Sequence, residues 1–317
     1  MIPLIAFVLT FGALVVLLKT NLANFALDAP NQRSLHSKAI PRTGGLALML
    51  GVLASLCLLG MWLWVALLSA LLLVSLLDDV FNLSVHWRLA AQLLVSAIFT
   101  WFFMPQLSWS TMLLALFALV WITNLYNFMD GSDGLAGGMA VFGFAAYAIA
   151  AYSAQNILLA QMCSAIVASS LAFLIFNFHP AKIFMGDAGS IPLGFLAGAI
   201  GLFGWQQGVW SFWFPILVFS PFIVDATATL IKRGARGEKV WLAHREHYYQ
   251  RLVQMGWGHK KTAIAAYVLM FLVGISALLL LKASFLIVVA SLAFLALIYI
   301  LLMREIDKQW KLHLSKQ

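Results

Sequence analysis

Residues 262–303 read TAIAAYVLMFLVGISALLLLKASFLIVVASLAFLALIYILLM and contain one charged residue, Lys282. An α-helix needs about 20 consecutive apolar residues to cross the hydrocarbon core of a bilayer. The stretch is long enough for two such helices, 262–281 and 284–303, with the lysine near the turn between them. It therefore predicts a hairpin of two membrane-spanning helices.

The whole chain shares this character. Of its 317 residues, 63% are hydrophobic and 9% are charged, whereas soluble domains carry about 25% charged residues. This excludes a soluble enzyme, a disordered protein, a coiled coil and a nucleic-acid-binding domain. Further apolar stretches lie at 3–22, 44–60, 62–77, 89–104, 110–126, 138–154, 157–177, 191–206 and 210–231. We expect an all-α polytopic membrane protein with about eleven transmembrane helices in a single integral membrane domain, 1–317.

The positive charges indicate which loops face the cytoplasm. When the stretches alternate across a bilayer, the Lys and Arg residues, 19 in all, lie on one side except for Lys282, which lies on the other. Lys and Arg mark the cytoplasmic side, so the N-terminus is expected outside and the C-terminus in the cytoplasm. The net charge of +8 then reflects topology, not a nucleic-acid partner. The predicted cytoplasmic loops are 23–43, 78–88, 127–137, 178–190 and 232–261.

The acidic residues and histidines share the side of the Lys and Arg residues. All seven histidines and all eleven acids fall there, if Asp225 near the end of a predicted helix is included. The rule for Lys and Arg does not account for them. One polar site built from several loops does.

Asp78 and Asp79 are adjacent acids at the end of an apolar stretch. Like charges near hydrocarbon repel each other, so a counter-cation is expected. Mg²⁺ is a candidate because it commonly binds one or two carboxylates together with substrate phosphates. The alternative is a pair that is simply solvated at the helix end.

The most specific loop is NLYNFMDGSDGLAGG at 124–138. Its glycines allow backbone N–H groups to approach an anion closely. Asp130 and Asp133 are three residues apart, so one helical turn would place them on the same side. The loop resembles a calcium loop but lacks the EF-hand spacing and terminal Glu.

Basic residues suggest phosphate binding in two other loops. Arg33, Lys38 and Arg42 could bind a lipid phosphate or a nucleotide diphosphate, unless they only mark the cytoplasmic side. His244 and His247 are also three apart and would share a helix face. Hydrogen bonding to a phosphate suits them better than zinc, because no HExxH motif or cysteine partner is present.

Two further acids have open roles. Asp187 lies between glycines directly before a predicted helix, where capping is an alternative, although Ser190 could cap equally well. Asp225 lies inside an apolar stretch, which marks it as a functional candidate. It could pair with Arg233 or support a metal, and in a transporter it would be the central residue.

Together these motifs resemble the polyprenyl-phosphate N-acetylhexosamine-1-phosphate transferase superfamily. The resemblance spans about residues 28–260 and depends on six motifs in order. They are DAPNxRxxHxxxxPRxGG at 28–45, DD with RLxxQ at 78–92, NxxNFMDGxDGLAGG at 124–138, NxxPAxIFMGDxGSxxLG at 177–194, PxxDxxxxxxKR at 221–233, and the histidine motif at 244–247.

The resemblance implies that a sugar 1-phosphate passes from a UDP-N-acetylhexosamine to undecaprenyl phosphate, with release of UMP. It also implies a bacterial inner (cytoplasmic) membrane, a site facing the cytoplasm, and Mg²⁺, with Mn²⁺ as a substitute. The lipid bilayer is the third expected partner, and a homodimer stays open.

The resemblance also implies roles for individual residues. The residues expected to act in catalysis are Asp78, Asp79, Asp187, His244 and His247. Those expected to bind substrate are Asn31, Arg33, His36, Arg42, Asn124, Asn127, Asp130, Asp133, Asn177 and Arg245. The expected metal ligands are Asp187, Asp79 and Asp130.

The histidine motif departs from two branches of the superfamily. The muramyl-pentapeptide branch has adjacent histidines and the enterobacterial GlcNAc branch has His-x-His-His, whereas this chain has HREHYYQ at 244–250. The pattern resembles the branch that initiates O-antigen or other surface polysaccharides. We therefore expect GlcNAc or a 6-deoxy relative such as FucNAc or QuiNAc. The alternatives are the muramyl-pentapeptide substrate and a multi-span transporter.

Overall fold

The computed structural model describes residues 1–20, 23, 26–28, 35, 39–81, 83–240, 242 and 244–316. Its helices are α1 (Ile2–Lys19), α2 (Gly44–Leu58), α3 (Trp62–Phe81), α4 (Val85–Phe103), α5 (Trp109–Phe128), α6 (Leu135–Ser153), α7 (Ile157–Asn177), α8 (Asp187–Gln206), α9 (Trp213–Val218), α10 (Ser220–Ala235), α11 (Tyr248–Leu252), α12 (Gly258–Leu280) and α13 (Phe285–Leu314). A π-helical segment, Val253–Trp257, joins α11 to α12. Two short antiparallel strands, β1 (Leu27–Asp28) and β2 (Ile40–Pro41), pair with Leu27 opposite Pro41.

This architecture confirms an all-α polytopic membrane protein. Every predicted apolar stretch contains helix, and among the described residues eight helices are long and apolar enough to cross a bilayer. The opening hairpin is present as α12 and α13, with Lys282 in the turn. The number of crossings, the side of each terminus and the single-domain assignment stay predictions.

The ninth predicted stretch, 210–231, is not one continuous helix. It divides into α9 and α10 at Phe219. Pro221 is the physical reason, because a proline lacks the N–H group and its ring clashes with the preceding helical turn. As one of the first residues of α10, it occupies a position where the missing N–H is tolerated.

Several helices extend beyond the apolar stretches that predicted them. α3 continues through Asp78 and Asp79, and α8 begins at Asp187, so these acids lie at helix ends and not in irregular loops. α13 continues to Leu314, eleven residues beyond the predicted end at 303. Helical hydrogen bonding does not stop where the apolar residues stop.

Glycines allow α8 to lie at the centre of the bundle. A Cβ added at Gly189 would clash with Gly45 of α2, and one added at Gly194 would clash with Thr123 of α5. Small residues let helix backbones approach closely in a membrane, where packing stabilises the fold. α8 is the most enclosed of the candidate spans, and its first residue, Asp187, is thereby brought close to α3 and to the loop after α5.

Candidate active site

One cavity of about 270 Å³ receives residues from all five loops predicted to face the cytoplasm. Polar and charged residues dominate its lining. Its acidic and basic residues are Asp28, Arg42, Asp79, Asp130, Asp133, Asp187, His244 and His259. Acids and histidines far apart in sequence therefore lie together, as the one-sided charge pattern predicts.

Asp79 holds the first turn of α8 in place. Its Oδ2 atom accepts a hydrogen bond from the Ala188 amide at 3.1 Å, and its Oδ1 atom lies 3.5 Å from Arg42 Nε. The first amides of a helix lack partners within the helix, and a carboxylate there is stabilised by the helix dipole. Neither Asp187 nor Ser190 caps this helix by its side chain. The side chain that caps α8 is Asp79, from α3.

Gly186 makes this contact possible. Its φ of 68° is in the left-handed region, and a Cβ there would overlap the Arg42 carbonyl and approach Asp79. Glycine is the residue that adopts this conformation without a steric penalty. Gly186 and Gly189, on either side of Asp187, thus allow three chain segments to approach one another closely.

Arg88 joins two of the predicted catalytic acids. Its Nη1 atom lies 2.9 Å from Asp78 Oδ2 and 3.2 Å from Asp187 Oδ2. This guanidinium connects α3, α4 and α8 and supplies positive charge next to the carboxylates. Sequence reasoning missed Arg88 as a site residue, although the RLxxQ motif that follows the acid pair contained the signal.

The Asp130 carboxyl group lines the cavity. It makes no hydrogen bond or ion pair with any residue that the structure describes, apart from its backbone. Burial raises the pKa of Asp130 well above its ordinary value, and the Asp187 and Asp79 carboxylates raise it further. A cation bound between these acids would favour their charged forms.

The available side chains suit a Mg²⁺ site that water and substrate phosphates complete, and not a metal site made of protein ligands alone. Among the described residues, no group of three or more acids, histidines or cysteines is arranged to hold a metal. Mg²⁺ is commonly held by one or two carboxylates, with waters and substrate phosphates as further ligands. Asp130 and Asp187 fit that pattern: Arg88 contacts Asp187 at one oxygen, Oδ2, whereas Ala188 and Arg42 contact both oxygens of Asp79.

Asp133 lies in a different environment from Asp130. Its Oδ2 atom is 2.6 Å from His179 Nδ1 and accepts from the Ala181 amide at 3.1 Å. His259 stacks on His179, and its Nδ1 atom contacts Ser132 Oγ at 2.8 Å. Sequence reasoning missed both histidines. Residue 130 is irregular and residues 131–134 form bends and turns, so the predicted helical turn is wrong, although both acids reach the cavity.

His244 and His247 belong to residues 244–252, which we call the histidine segment. The two rings lie 4.7 Å apart, but only His244 lines the cavity. His247 is buried directly before α11, and its amide donates to Gln250 Oε1 at 3.1 Å. Because α11 begins at Tyr248, the prediction that both histidines share a helix face is wrong.

His244 is in its neutral form at pH 7. Burial, followed by the neighbouring His247 and Arg233, lowers the pKa of His244 to about 4. A neutral imidazole carries one N–H donor and one acceptor nitrogen. It can therefore donate a hydrogen bond to a phosphate in the cavity without adding a charge.

Asp225 of α10 holds the histidine segment through hydrogen bonds to its backbone. It accepts hydrogen bonds from the amides of Tyr248 at 2.8 Å and Tyr249 at 3.0 Å, and lies 3.4 Å from His247 Nδ1. The suggested pairing with Arg233 is wrong, because Arg233 pairs with Glu238 and Glu246. Asp225 does not line the polar cavity.

Residues 61–204 match the family model described as glycosyl transferase family 4. A probable undecaprenyl-phosphate N-acetylglucosaminyl 1-phosphate transferase of Bacillus subtilis (strain 168) is 32% identical over 280 residues, which cover 82% of this chain and 78% of the relative. The chain belongs to glycosyl transferase family 4.

Two further relatives match this chain over shorter regions than the Bacillus subtilis protein does. The phospho-N-acetylmuramoyl-pentapeptide-transferase of Listeria welshimeri is 31% identical over 163 residues, 50% of this chain and 48% of the relative. The enzyme of that name from Desulfotalea psychrophila is 29% identical over 198 residues, 56% of this chain and 53% of the relative. Membership makes the protein a membrane-embedded polyprenyl-phosphate sugar-1-phosphate transferase, with a nucleotide-sugar donor and an undecaprenyl phosphate acceptor.

The predicted asparagines connect the loops of the transferase. Asn177 accepts from the Gly134 amide at 3.0 Å and donates to the Ile183 carbonyl at 2.9 Å. Asn127 accepts from Ser190 at 2.7 Å and also lines the cavity. Asn124 donates to Gln92 at 2.6 Å and lies away from the cavity lining. These amides hold the loops of the site at fixed positions.

The other predicted binding residues have different locations. Arg42 lines the cavity, whereas Arg245 is exposed and does not line it. Asn31, Arg33 and His36 lie outside the described residues. The described part of the family 4 site therefore consists of carboxylates at two helix ends, the Asp130 carboxyl in a loop, two arginines and a neutral histidine, which together suit a phosphate group and a divalent cation.

Proposed function

We propose that this protein transfers an N-acetylhexosamine 1-phosphate from a UDP-sugar to undecaprenyl phosphate and releases UMP. GlcNAc or a 6-deoxy relative such as FucNAc or QuiNAc is the proposed sugar. The observation that carries the proposal is the carboxyl of Asp130, which has no hydrogen-bond or ion-pair partner among the described residues and lies beside Asp187 in a cavity that also contains Arg42 and His244. Such a set can bind a cation and a diphosphate together.

The proposed metal is Mg²⁺, with Mn²⁺ able to replace it. Asp130 and Asp187 would hold it, together with donor phosphate oxygens and water. When bound, it would neutralise negative charge on the diphosphate. Asp79 is proposed to act by holding the first turn of α8, and hence Asp187, through its bond to the Ala188 amide.

Transfer requires little covalent help from the protein. An oxygen of the lipid phosphate attacks the phosphorus that bears the sugar, and the bond from that phosphorus to the UMP oxygen breaks. The attacking oxyanion is already nucleophilic at neutral pH, so no side chain has to remove a proton. Positioning and charge stabilisation supply the catalysis. Arg88 and Arg42 contribute positive charge, and His244 donates a hydrogen bond to the diphosphate.

The proposed location is the bacterial inner membrane, with the cavity facing the cytoplasm. The product would begin an O-antigen or another surface polysaccharide. A transporter centred on Asp225 is not favoured, because backbone amides of α11 occupy that carboxylate.

The test is release of UMP by the purified full chain supplied with undecaprenyl phosphate and Mg²⁺. The donors are UDP-GlcNAc, UDP-FucNAc, UDP-QuiNAc and UDP-MurNAc-pentapeptide. We expect release with one of the first three, and loss of about 10²- to 10³-fold in turnover for Asp187→Asn, since a group acting on transition-state charge is removed. Release with none of the donors would refute the transferase proposal. Release with the pentapeptide donor alone would reassign the sugar.

A further inference from the structure

The C-terminal helix α13 reaches the histidine segment through one acid. We infer that Asp307 is a positioning residue for this segment, an inference that rests on the proposed function. Asp307 lies outside the region that matches the family model, and no motif in the sequence marks it. Asp307 lies on α13 because this helix continues to Leu314, beyond the apolar stretch that ends at residue 303.

Asp307 connects three helices. Its Oδ1 atom lies 2.8 Å from Arg251 Nη1 of α11. Its Oδ2 atom accepts hydrogen bonds from Lys232 Nζ of α10 and from the Tyr248 hydroxyl at 3.3 Å. Both carboxylate oxygens are thus occupied by groups of α10 and α11.

Arg251 carries this contact to the histidines. Its side chain is only 6% exposed, and its Nε atom donates to the Glu246 carbonyl at 2.8 Å. The Glu246 amide in turn donates to His244 Nδ1 at 3.3 Å. Asp307 therefore orients Arg251, which holds the backbone between His244 and His247.

The described residues offer the Arg251 guanidinium a second, more distant acid. Apart from Asp307, the described acid that contacts the Arg251 guanidinium is Glu246, at 3.9 Å, and Glu246 is already paired with Arg233 and Arg236. A buried charge that loses its partner is strongly destabilising. The segment would then shift or open to let Arg251 reach water.

Apolar packing does not hold α13 against the segment. Val288 is the only residue of this fully described helix that is buried. A cavity of about 390 Å³, lined by Tyr248, Leu269 and Met303 among others, lies between α13 and its neighbours. Near the C-terminal end of α13, Asp307 thus supplies the ionic link to Arg251, beside the Trp310 ring, whose centroid lies 5.9 Å from the Arg251 guanidinium.

The experiment compares Asp307→Asn with Glu305→Gln in the full chain. Glu305 is exposed and lies on the same helix, and Gln309 donates to its side chain, so the control removes the same charge outside the cluster. We expect Asp307→Asn to lower kcat at least about tenfold while the KM for the UDP-sugar changes less than about threefold. The control should stay within about twofold of the wild type in both constants.

A double variant distinguishes positioning from general loss of structure. If Asp307 acts through His244, adding Asp307→Asn to His244→Ala should lower kcat by less than about twofold beyond the single histidine variant. Hydrogen exchange supplies a readout that needs no activity. Amides of residues 244–252 should exchange at least about tenfold faster in Asp307→Asn, and at the wild-type rate in Glu305→Gln.

Three results would overturn the inference: unchanged exchange of residues 244–252, retention of more than half of kcat, or an equal loss of kcat with and without His244. If the wild type releases no UMP, the proposed function fails and the exchange data alone decide the role of Asp307. If Asp307→Asn does not insert, Asp307→Glu replaces it. Glutamate keeps the charge but displaces it by one methylene, and should lower kcat at least about threefold.

Discussion

Replacing Asp225 by alanine should loosen the start of α11 and the histidine next to it. The carboxylate accepts hydrogen bonds from the Tyr248 amide at 2.8 Å and the Tyr249 amide at 3.0 Å. Alanine offers no acceptor, so both amides at the first turn of the helix lose their partner. We expect α11 to open more often and to carry His247 with it.

The size of the effect follows from the two bonds. A hydrogen bond to a charged group contributes about 1.5 kcal/mol at the lower end of its range, so losing two costs about 3 kcal/mol. At about 1.4 kcal/mol per factor of ten, local opening should increase about 150-fold. Asp225→Asn keeps one oxygen as an acceptor, and the increase there should be about tenfold.

Hydrogen exchange of the Tyr248 and Tyr249 amides in the purified chain measures this opening. The matched control is Thr229→Val, which removes a longer bond of 3.3 Å to the same carboxylate and leaves both amides paired. Its exchange should stay within about twofold of the wild type. Wild-type protection of the two amides in Asp225→Ala would refute the capping role.

Two further predictions concern the cavity. Asp130→Asn should raise the Mg²⁺ concentration for half-maximal UMP release at least about tenfold, because it removes a free oxygen ligand. The Asp133 carboxylate is already held by His179 and the Ala181 amide, so Asp133→Asn should leave that concentration within about twofold, and equal shifts in both variants would contradict the assignment. His244 has a pKa near 4, below its ordinary value of 6.5, so the unfolded chain binds more protons between these values and stability contributed by His244 is lost as pH falls through that window. Thermal unfolding of His244→Gln should therefore depend less on pH between about 4 and 6.5 than that of the wild type, and identical pH profiles would contradict the shift.

The fold class could be read from the sequence because a bilayer imposes a simple rule on it. Each helix that crosses the membrane needs a long apolar run, and the stretch at 262–303 shows two of them. Hydropathy marks the bilayer core and not the hydrogen bonds of the helix. The continuation of α13 to Leu314 and the break at Phe219 were therefore not predicted.

The site could be predicted in its composition but not in its contacts. The charge pattern placed Asp130, Asp187 and His244 on one side of the membrane, and the cavity contains all three. Their different environments depend on partners from other helices. Arg88 donates a hydrogen bond to the Asp187 carboxylate, whereas the carboxyl of Asp130 has no hydrogen-bond or ion-pair partner in the described part of the chain.

The sequence by itself determined the membrane class, the shared side of the acids and histidines, and the family that their motifs resemble. These properties follow from local composition and from the cost of placing charge in hydrocarbon. Only the tertiary structure decided which acid caps α8, which caps α11, and which has no side-chain partner among the described residues. Those roles depend on distances between helix ends, as between Asp79 and Ala188, 109 residues apart in the chain. Close helix packing sets such distances, and no local pattern of residues encodes them.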